Sequence, residues 1–375
     1  MVSLARRNLF HDRLRFVITV AGVAFAVTLV LVQVGLFLGL LDKATVTIRN
    51  ANADLWVTSR NTPNVDFAHT FPETAALRAR GVPGVERADN LIVSFMNIQL
   101  PTGATEGSLV YALEDFDYWR LPWRVAEGAP AADLRRGYTL LVDRSAALRY
   151  GPFEVGEYRE LQGRRFRIAG ATEEAASFTT TPIVFMDYRN AQELQDELRG
   201  NTTYVLVKTA AGADVEAVRR ELQRRLPYND VFTRDEWARR SRDYWVKSTG
   251  LGMSMGVTVF LGILVGIVIV AQTLYTSAVE HLKEFGTVKA IGGSNLDIYR
   301  ILGEQALVAA VIGFAVGALI SYGARPLMAG IHLNVLLSPG FSAAVFVGTV
   351  VMCLGAALFS FRRVAGIDPA LVFRT

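Results

Sequence analysis

The chain contains a single cysteine, Cys353, and that residue lies inside an apolar run. An intrachain disulfide framework and a cysteine-rich metal site are therefore excluded. Any extramembrane domain must fold without covalent staples. Histidine is equally sparse. His11, His69, His281 and His332 are scattered, with no His-x-x-x-His pair, so no metal or catalytic role is assigned to them. No Gly-x-x-x-x-Gly-Lys-Ser/Thr phosphate loop and no Ser/His/Asp spacing occurs, which argues against a nucleotide cofactor and against a nucleophile with its acid–base partner. The net charge of +4 is too mild to argue for nucleic acid.

Charge is missing from four long stretches. The first is Phe16 to Leu41, whose polar side chains are Thr19, Thr28 and Gln33. At about 1.5 Å rise per residue it spans a hydrocarbon core of roughly 30 Å with length to spare. It is too long for the apolar core of a cleavable signal peptide, and no small-x-small cleavage site follows. The others are Gly250 to Leu274, Ala306 to Gly323 and Ala343 to Phe361. Glu304 sits near the inner end of the third and can reach the interface, so no buried carboxylate or lysine marks an ion path.

The flanks set an orientation. Arg6, Arg7, Arg13 and Arg15 precede the first run, Lys283, Lys289 and Arg300 lie between the second and third, and Arg362, Arg363 and Arg374 follow the fourth. Basic residues in short loops stay cytoplasmic, whereas long domains cross largely regardless of charge. Both termini and the 276–300 loop are thus expected inside, and the block from 42 to 248 outside. Small residues recur four apart at Gly35 and Gly39, Gly252 and Gly256, Gly262 and Gly266, and Gly313 and Gly317. Such steps let helix backbones approach closely in lipid.

The large block alternates apolar and polar residues at Ala53 to Val57 and Leu91 to Leu100, which reads as strand. Further strands are expected at Gly137 to Asp143, on either side of a turn at Gln162-Gly163, at Pro182 to Met186 and at Thr203 to Lys208. Short helices are expected from Asp143 to Tyr150 and, capped by Asp214, through Arg225. The block therefore reads as α+β. A helix from Asp235 to Lys247 is expected to run straight into the second apolar run, with Trp237, Tyr244 and Trp245 on one face. Those rings suit either an interfacial anchor or a stalk that carries motion.

Between the second and third runs, Phe285, Val288 and Ile291 give a short charged loop an exposed apolar face suited to a partner's groove. Gly292-Gly293 suits a helix end, and Ser294 or Asn295 suits the next cap. Here Glu-Phe-Gly-Thr-Val-Lys-Ala-Ile-Gly-Gly-Ser (284–294) resembles the coupling segment of the MacB/FtsX-like permeases, the membrane subunits of type VII ABC systems. Ile-Asp-Pro-Ala-Leu (367–371) is similar to that family's closing pattern. Leu140 to Gly151, then Gly156 and Arg165 to Gly170, resembles its periplasmic core domain. Residues 4–15 and 53–57 look closest to the DevC-like exporter permeases.

The resemblance implies four transmembrane helices with an inserted α+β periplasmic domain, multi-pass in the cell inner membrane. It lays the chain out as a cytoplasmic N-terminus (1–15), a first transmembrane helix (16–41), the periplasmic core domain with stalk ends (42–248) and a second transmembrane helix (249–275). A cytoplasmic coupling segment (276–305), a third transmembrane helix (306–324), a periplasmic loop (325–342), a fourth transmembrane helix (343–361) and a cytoplasmic tail (362–375) follow. It implies a non-catalytic homodimer working with a separate ABC ATPase in the lipid bilayer, with a membrane-fusion adaptor and an outer-membrane channel. Glu284, Phe285, Gly286, Val288, Lys289, Ala290, Ile291 and Gly292 would receive the ATPase's motion, and mechanotransmission would drive efflux of a hydrophobic or amphipathic substrate. An FtsX-like regulator of a periplasmic partner, or a lipoprotein-releasing or haem-exporting permease, shares the topology.

Overall fold

A computed structural model describes residues 13–128, 130, 134–135, 137–179, 181–280, 294–330 and 333–365. The expected coupling segment, Glu284 to Gly292, lies outside the described residues, as do the basic residues Arg6, Arg7, Lys283, Lys289 and Arg374. The chain divides into two compact units, one of residues 1–39 and 252–375 and one of residues 40–251.

Four helices are long and apolar enough to cross a membrane. They are Arg13–Asn50, Leu251–Glu280, Asn295–Ala329 and Pro339–Ala365, termed the first to fourth membrane helices. Helices are the expected answer, because a lipid-facing segment must satisfy every backbone polar group internally. Each runs past its apolar core. The first reaches Asn50, well beyond Leu41. The third starts at Asn295, so its first turns carry Arg300 and Glu304. Hydropathy marks where a helix can be in lipid and is silent on the polar turns that extend it.

Within the membrane unit, the first helix is the shared neighbour of the others. A β-carbon on Gly313 would sit 2.6 Å from Val23, and one on Gly317 would sit 2.8 Å from the Ala24 carbonyl oxygen. On the second helix, a β-carbon at Gly262 would lie 2.8 Å from Leu29, and one at Gly266 would lie 2.9 Å from Ala26. Gly35 meets Val335 and Gly39 meets the Asn334 backbone, where a β-carbon would be 1.8 Å from the carbonyl oxygen. At Gly39, Gly313 and Gly317 the neighbour is backbone or the base of a side chain, so glycine is a steric requirement there; at Gly262 it is the end of the Leu29 side chain, which can turn aside. Gly256 is different: nothing lies within 4 Å of its β-position.

Buried hydroxyls in the spans turn back on carbonyls. Thr19 donates to Arg15 O, Ser321 to Gly317 O and Thr349 to Val345 O, while Ser360 reaches across to Ala271 O on the second helix. The Arg15 guanidinium makes a two-pronged contact with the Glu280 carboxylate, one prong at 2.8 Å. It pairs the start of the first helix with the end of the second.

The second unit is built on a mixed sheet. Its strands are β1 (Leu55–Ser59), β2 (Phe71–Pro72), β3 (Val85–Gln99), β4 (Thr105–Leu113), β5 (Val125–Gly128), β6 (Thr139–Asp143), β7 (Tyr158–Leu161), β8 (Arg164–Thr172), β9 (Ile183–Asp187), β10 (Asn201–Thr202), β11 (Tyr204–Thr209) and β12 (Asn229–Thr233). The main order is β12-β1-β11-β3-β4-β9-β6-β8-β5, with β7 pairing β3 and β8, and β2 and β10 forming a separate pair. Only β4 with β9 and β6 with β8 run parallel among the described pairings. The β7–β8 hairpin turns at Gln162 and Gly163, with φ of 50° and 76°, the two left-handed residues that a tight two-residue hairpin requires.

Both faces of the sheet are covered. Along β4, Leu109, Tyr111 and Leu113 enter one core, while Val110 and Ala112 enter another. Along β11, Tyr204 and Leu206 share the first core, while Val205 and Val207 face a third. This is the two-residue alternation of a strand, with apolar residues on both sides. The helices Thr74–Arg80 and Val215–Arg225 cover the third core. Asp214 caps the second of them, its carboxylate accepting from Glu216 N.

The glycine contacts yield a direct test. Gly317→Leu forces a side chain into the first helix's backbone and should destabilise the protein by about 1–3 kcal/mol. Gly256→Leu, in open space, should leave the thermal unfolding midpoint of the detergent-purified chain within error of the parent. Equal midpoints for the two variants would contradict the packing.

Candidate functional site

The inserted unit meets its two helical connections on one face of the sheet. The last turns of the first membrane helix bring in Ile48, with Ala51 and Ala53 just beyond. The stalk helix Arg234–Asp243 brings in Trp237 and Ala238. All five join Trp56, Leu91, Tyr111, Tyr204 and Leu206 in a single core. Lys43, three residues before Val46, faces the buried Asp143 carboxylate.

The stalk helix begins with a full capping box. Thr233 Oγ1 accepts from Glu236 N at 3.3 Å, and the Glu236 carboxylate accepts from Thr233 N at 3.0 Å. Two otherwise orphaned donors are satisfied reciprocally. Arg219 pairs with the same carboxylate, tying the stalk's start to the neighbouring helix.

Trp237 is fully buried. Its ring stacks on Phe232 at 5.3 Å and an interplanar angle of 11°, and meets Tyr204 at 5.9 Å. It anchors in the protein core and not at a lipid surface. Tyr244 and Trp245 belong to a different group. Trp245 stacks on Phe178 at 3.9 Å and 13°, and both rings lie about one ring's reach from Phe67, at 5.9 Å for Trp245 and 6.0 Å for Tyr244.

The three rings thus reach two groups of partners, Trp237 the sheet core and Tyr244 and Trp245 the rings of Phe67 and Phe178. Tyr244–Ser248 is a π-helical turn, a form that recurs as single turns at functional sites. It opens only at Tyr244, where the α-helical part of the stalk ends. The helix also does not run straight into the membrane span. It stops at Thr249, and Gly250 takes φ of 72°, a left-handed conformation that ends helices. The second membrane helix starts afresh at Leu251.

Sequence reasoning missed the loop that holds this joint. Asn64 Oδ1 accepts from Asp66 N and Phe67 N at 2.8 and 3.0 Å. Val65 N donates to Ser241 Oγ of the stalk helix at 3.2 Å, and Arg240 Nε donates to Thr62 O. The Tyr204 hydroxyl reaches Asn64 O and Val65 O, both at 3.1 Å. Residues 62–67 thus stitch the stalk to the sheet. The one oddity of the loop in sequence is Asp66, a lone acid in Val-Asp-Phe-Ala, which by itself says nothing of its role. Burial pushes its carboxyl up to about 7, with the Phe178 amide opposing the shift. The neighbouring Tyr111 and Tyr204 hydroxyls are likewise raised by burial.

Trp237→Ala would empty the centre of the shared core and should cost about 3–5 kcal/mol. Tyr244→Ala, on the half-buried side of the joint, should cost far less. Denaturant unfolding of the full chain followed by intrinsic fluorescence separates the two. A neutral Trp237→Ala would refute the anchoring role.

The comparisons with known proteins cover the whole length. Residues 16–225 match the MacB-like periplasmic core domain, and residues 256–369 match the FtsX-like permease C-terminal domain. An uncharacterised ABC transporter permease of Mycobacterium tuberculosis is 28% identical over 379 aligned positions, covering 100% of this chain and 99% of the relative. A second from the same species is 27% identical over 376 positions, with the same coverage. The periplasmic region of MacB from Actinobacillus actinomycetemcomitans is 11% identical with a TM-score of 0.39, covering 50% of this chain and 92% of that one. With both halves matched in order along one polypeptide, the chain belongs to the MacB/FtsX-like family of ABC transporter permeases.

Proposed function

We propose that this permease is the membrane subunit of an export system that works by mechanotransmission. Two copies of the chain would pair with two copies of a separate ABC ATPase. Closure of the ATPases on ATP would push the segment Glu284 to Gly292, and the helices would pass that motion to the inserted domain. The substrate, hydrophobic or amphipathic, is then moved outside the membrane, with a membrane-fusion adaptor and an outer-membrane channel as further partners. The observation that carries the reading is the shared core of the domain. Ile48 of the first membrane helix and Trp237 of the stalk lie in one buried cluster, so neither connection can shift in the domain without the other responding. The hydroxyls buried in the spans support it too, since they bond carbonyls and do not line a polar path.

The chain sits in the cell inner membrane in this reading, with both termini cytoplasmic. The basic flanks of the apolar runs support that orientation. With Cys353→Ser as background, Leu148→Cys on the exposed surface of the domain should react in intact spheroplasts with a membrane-impermeant maleimide. Labelling only after lysis would reverse the orientation.

The coupling segment has its own test. Deleting Phe285 to Ile291 should abolish substrate-stimulated ATP hydrolysis by the complex of permease and ATPase, while the protein still inserts in the membrane. Normal stimulated hydrolysis in that deletion would sink the mechanism.

A further inference from the structure

The π-helical joint is gripped from one side by the β8–β9 loop. That loop leaves β8 at Thr172, and its first turn is fixed where Ala175 N donates to Asp143 Oδ2 at 2.8 Å. Thr172 Oγ1 and Ser145 also bond Asp143, so the root of the loop is firmly seated. At its tip, Phe178 lies flat on Trp245 at 3.9 Å. The backbone amide of the same Phe178 points at the Asp66 carboxyl. Asp66 is 5% exposed, and its own loop is stitched to the stalk helix through Val65 and Ser241. Phe67, the next residue, also meets Trp245, at 5.9 Å. Asp66 therefore sits where the two loops that touch Trp245 come together.

We propose that the β8–β9 loop, residues 173–179, is a clasp on the joint at 244–248, and that ionisation of the Asp66 carboxyl releases it. A protonated carboxyl is neutral and can remain buried between the loops. Among the described residues, an ionised one in the same place meets no cationic side chain. Tyr111 from β4 and Tyr204 from β11 face it, and neither carries positive charge. From the stalk helix, Arg240 is engaged by Thr62 O and the Phe232 ring. From the first membrane helix, Lys43 faces Asp143. In the clasp itself, Glu173 is held by Arg124 and Arg144, and Glu174 by Arg124. An unpaired buried charge is costly, and the cheapest relief is for the β8–β9 loop to lift from Asp66 and admit water. Phe178 would then loosen its hold on Trp245.

The sign follows from linkage. The unfolded carboxyl titrates at about 4, and the folded one is pushed up to about 7. The closed clasp thus contributes its full stability below the unfolded value and loses it as pH rises through the folded one. The clasp is closed in mildly acidic surroundings and free in alkaline ones. It goes beyond the transport reading and holds whatever the permease moves.

The test uses the full chain in detergent micelles with its five tryptophans replaced by 5-fluorotryptophan. The Trp245 fluorine resonance is assigned with Trp245→Phe. In the parent it should shift with a single titration near 7, while the other four resonances stay in place. Asp66→Asn, which mimics the protonated acid, should pin the Trp245 resonance at its low-pH position. Phe178→Leu should displace the resonance and abolish its pH response while Asp66 remains. A flat Trp245 resonance in the parent would overturn the proposal. So would a titration that survives in either variant.

Discussion

Both helical connections of the inserted domain end on one face of one sheet, and the rest of the design depends on that shared burial. The sheet is apolar on both sides, so each face demands a cover. On the far side, short helices supply it. On the near side, the cover is the very chain that enters and leaves the domain: Ile48 and Ala51 from the first helix, Trp237 and Ala238 from the stalk. A domain that buries its own tethers cannot treat them as flexible linkers. Trp56, Tyr204, Trp237 and Phe232 form a run of touching rings across that face. Rings of this size interdigitate at high density and transmit displacement with little give.

The membrane helices are packed by opposite means. In water, large side chains hold elements together because burial removes apolar surface from solvent. In lipid that drive is absent between helices, and close backbone approach takes its place. The first helix accordingly meets glycines at 266, 313 and 317 through small or branched residues, Ala26, Val23 and Val27. The same chain thus uses tryptophan on tyrosine in one unit and glycine on valine in the other. Each follows from the solvent around it.

Much of this was legible from residues alone. Four apolar runs announce themselves by length, and Gln162-Gly163 announces a hairpin by its left-handed preference. The far end of the first helix was not legible: residues 42–50 carry Asp42 and Lys43, and their helicity comes from continuing an existing helix, not from hydropathy. The start of the third was, because Ser294 or Asn295 suits a cap and the helix opens at Asn295. β4 escaped notice because Leu109 to Leu113 is apolar throughout, and a strand buried on both faces loses the alternation that betrays it. The stalk was legible as a helix, but the π turn at 244–248 that closes it was not, and no spacing rule anticipates it.

Asp66 is the residue whose role no local reading could supply. Its neighbours in sequence, Val65 and Phe67, say only that the segment is half apolar. Its burial is created by residues far along the chain: Phe178 from the β8–β9 loop, Ser241 from the stalk and the tyrosines of β4 and β11. An apolar residue of similar size would fill the same space and be stable at every pH, since replacing buried charge by a hydrophobe is often neutral or stabilising. A carboxyl there makes the fit conditional on a proton. The condition acts on one short stretch, between a stalk fixed in the core by Trp237 and a membrane helix that begins anew after Gly250. That stretch is where the backbone already departs from α-helix, first by a π turn and then by a left-handed glycine. Local irregularity and an adjustable clamp at the same few residues are the two ingredients of a hinge, and the ring contacts of Trp245 join them.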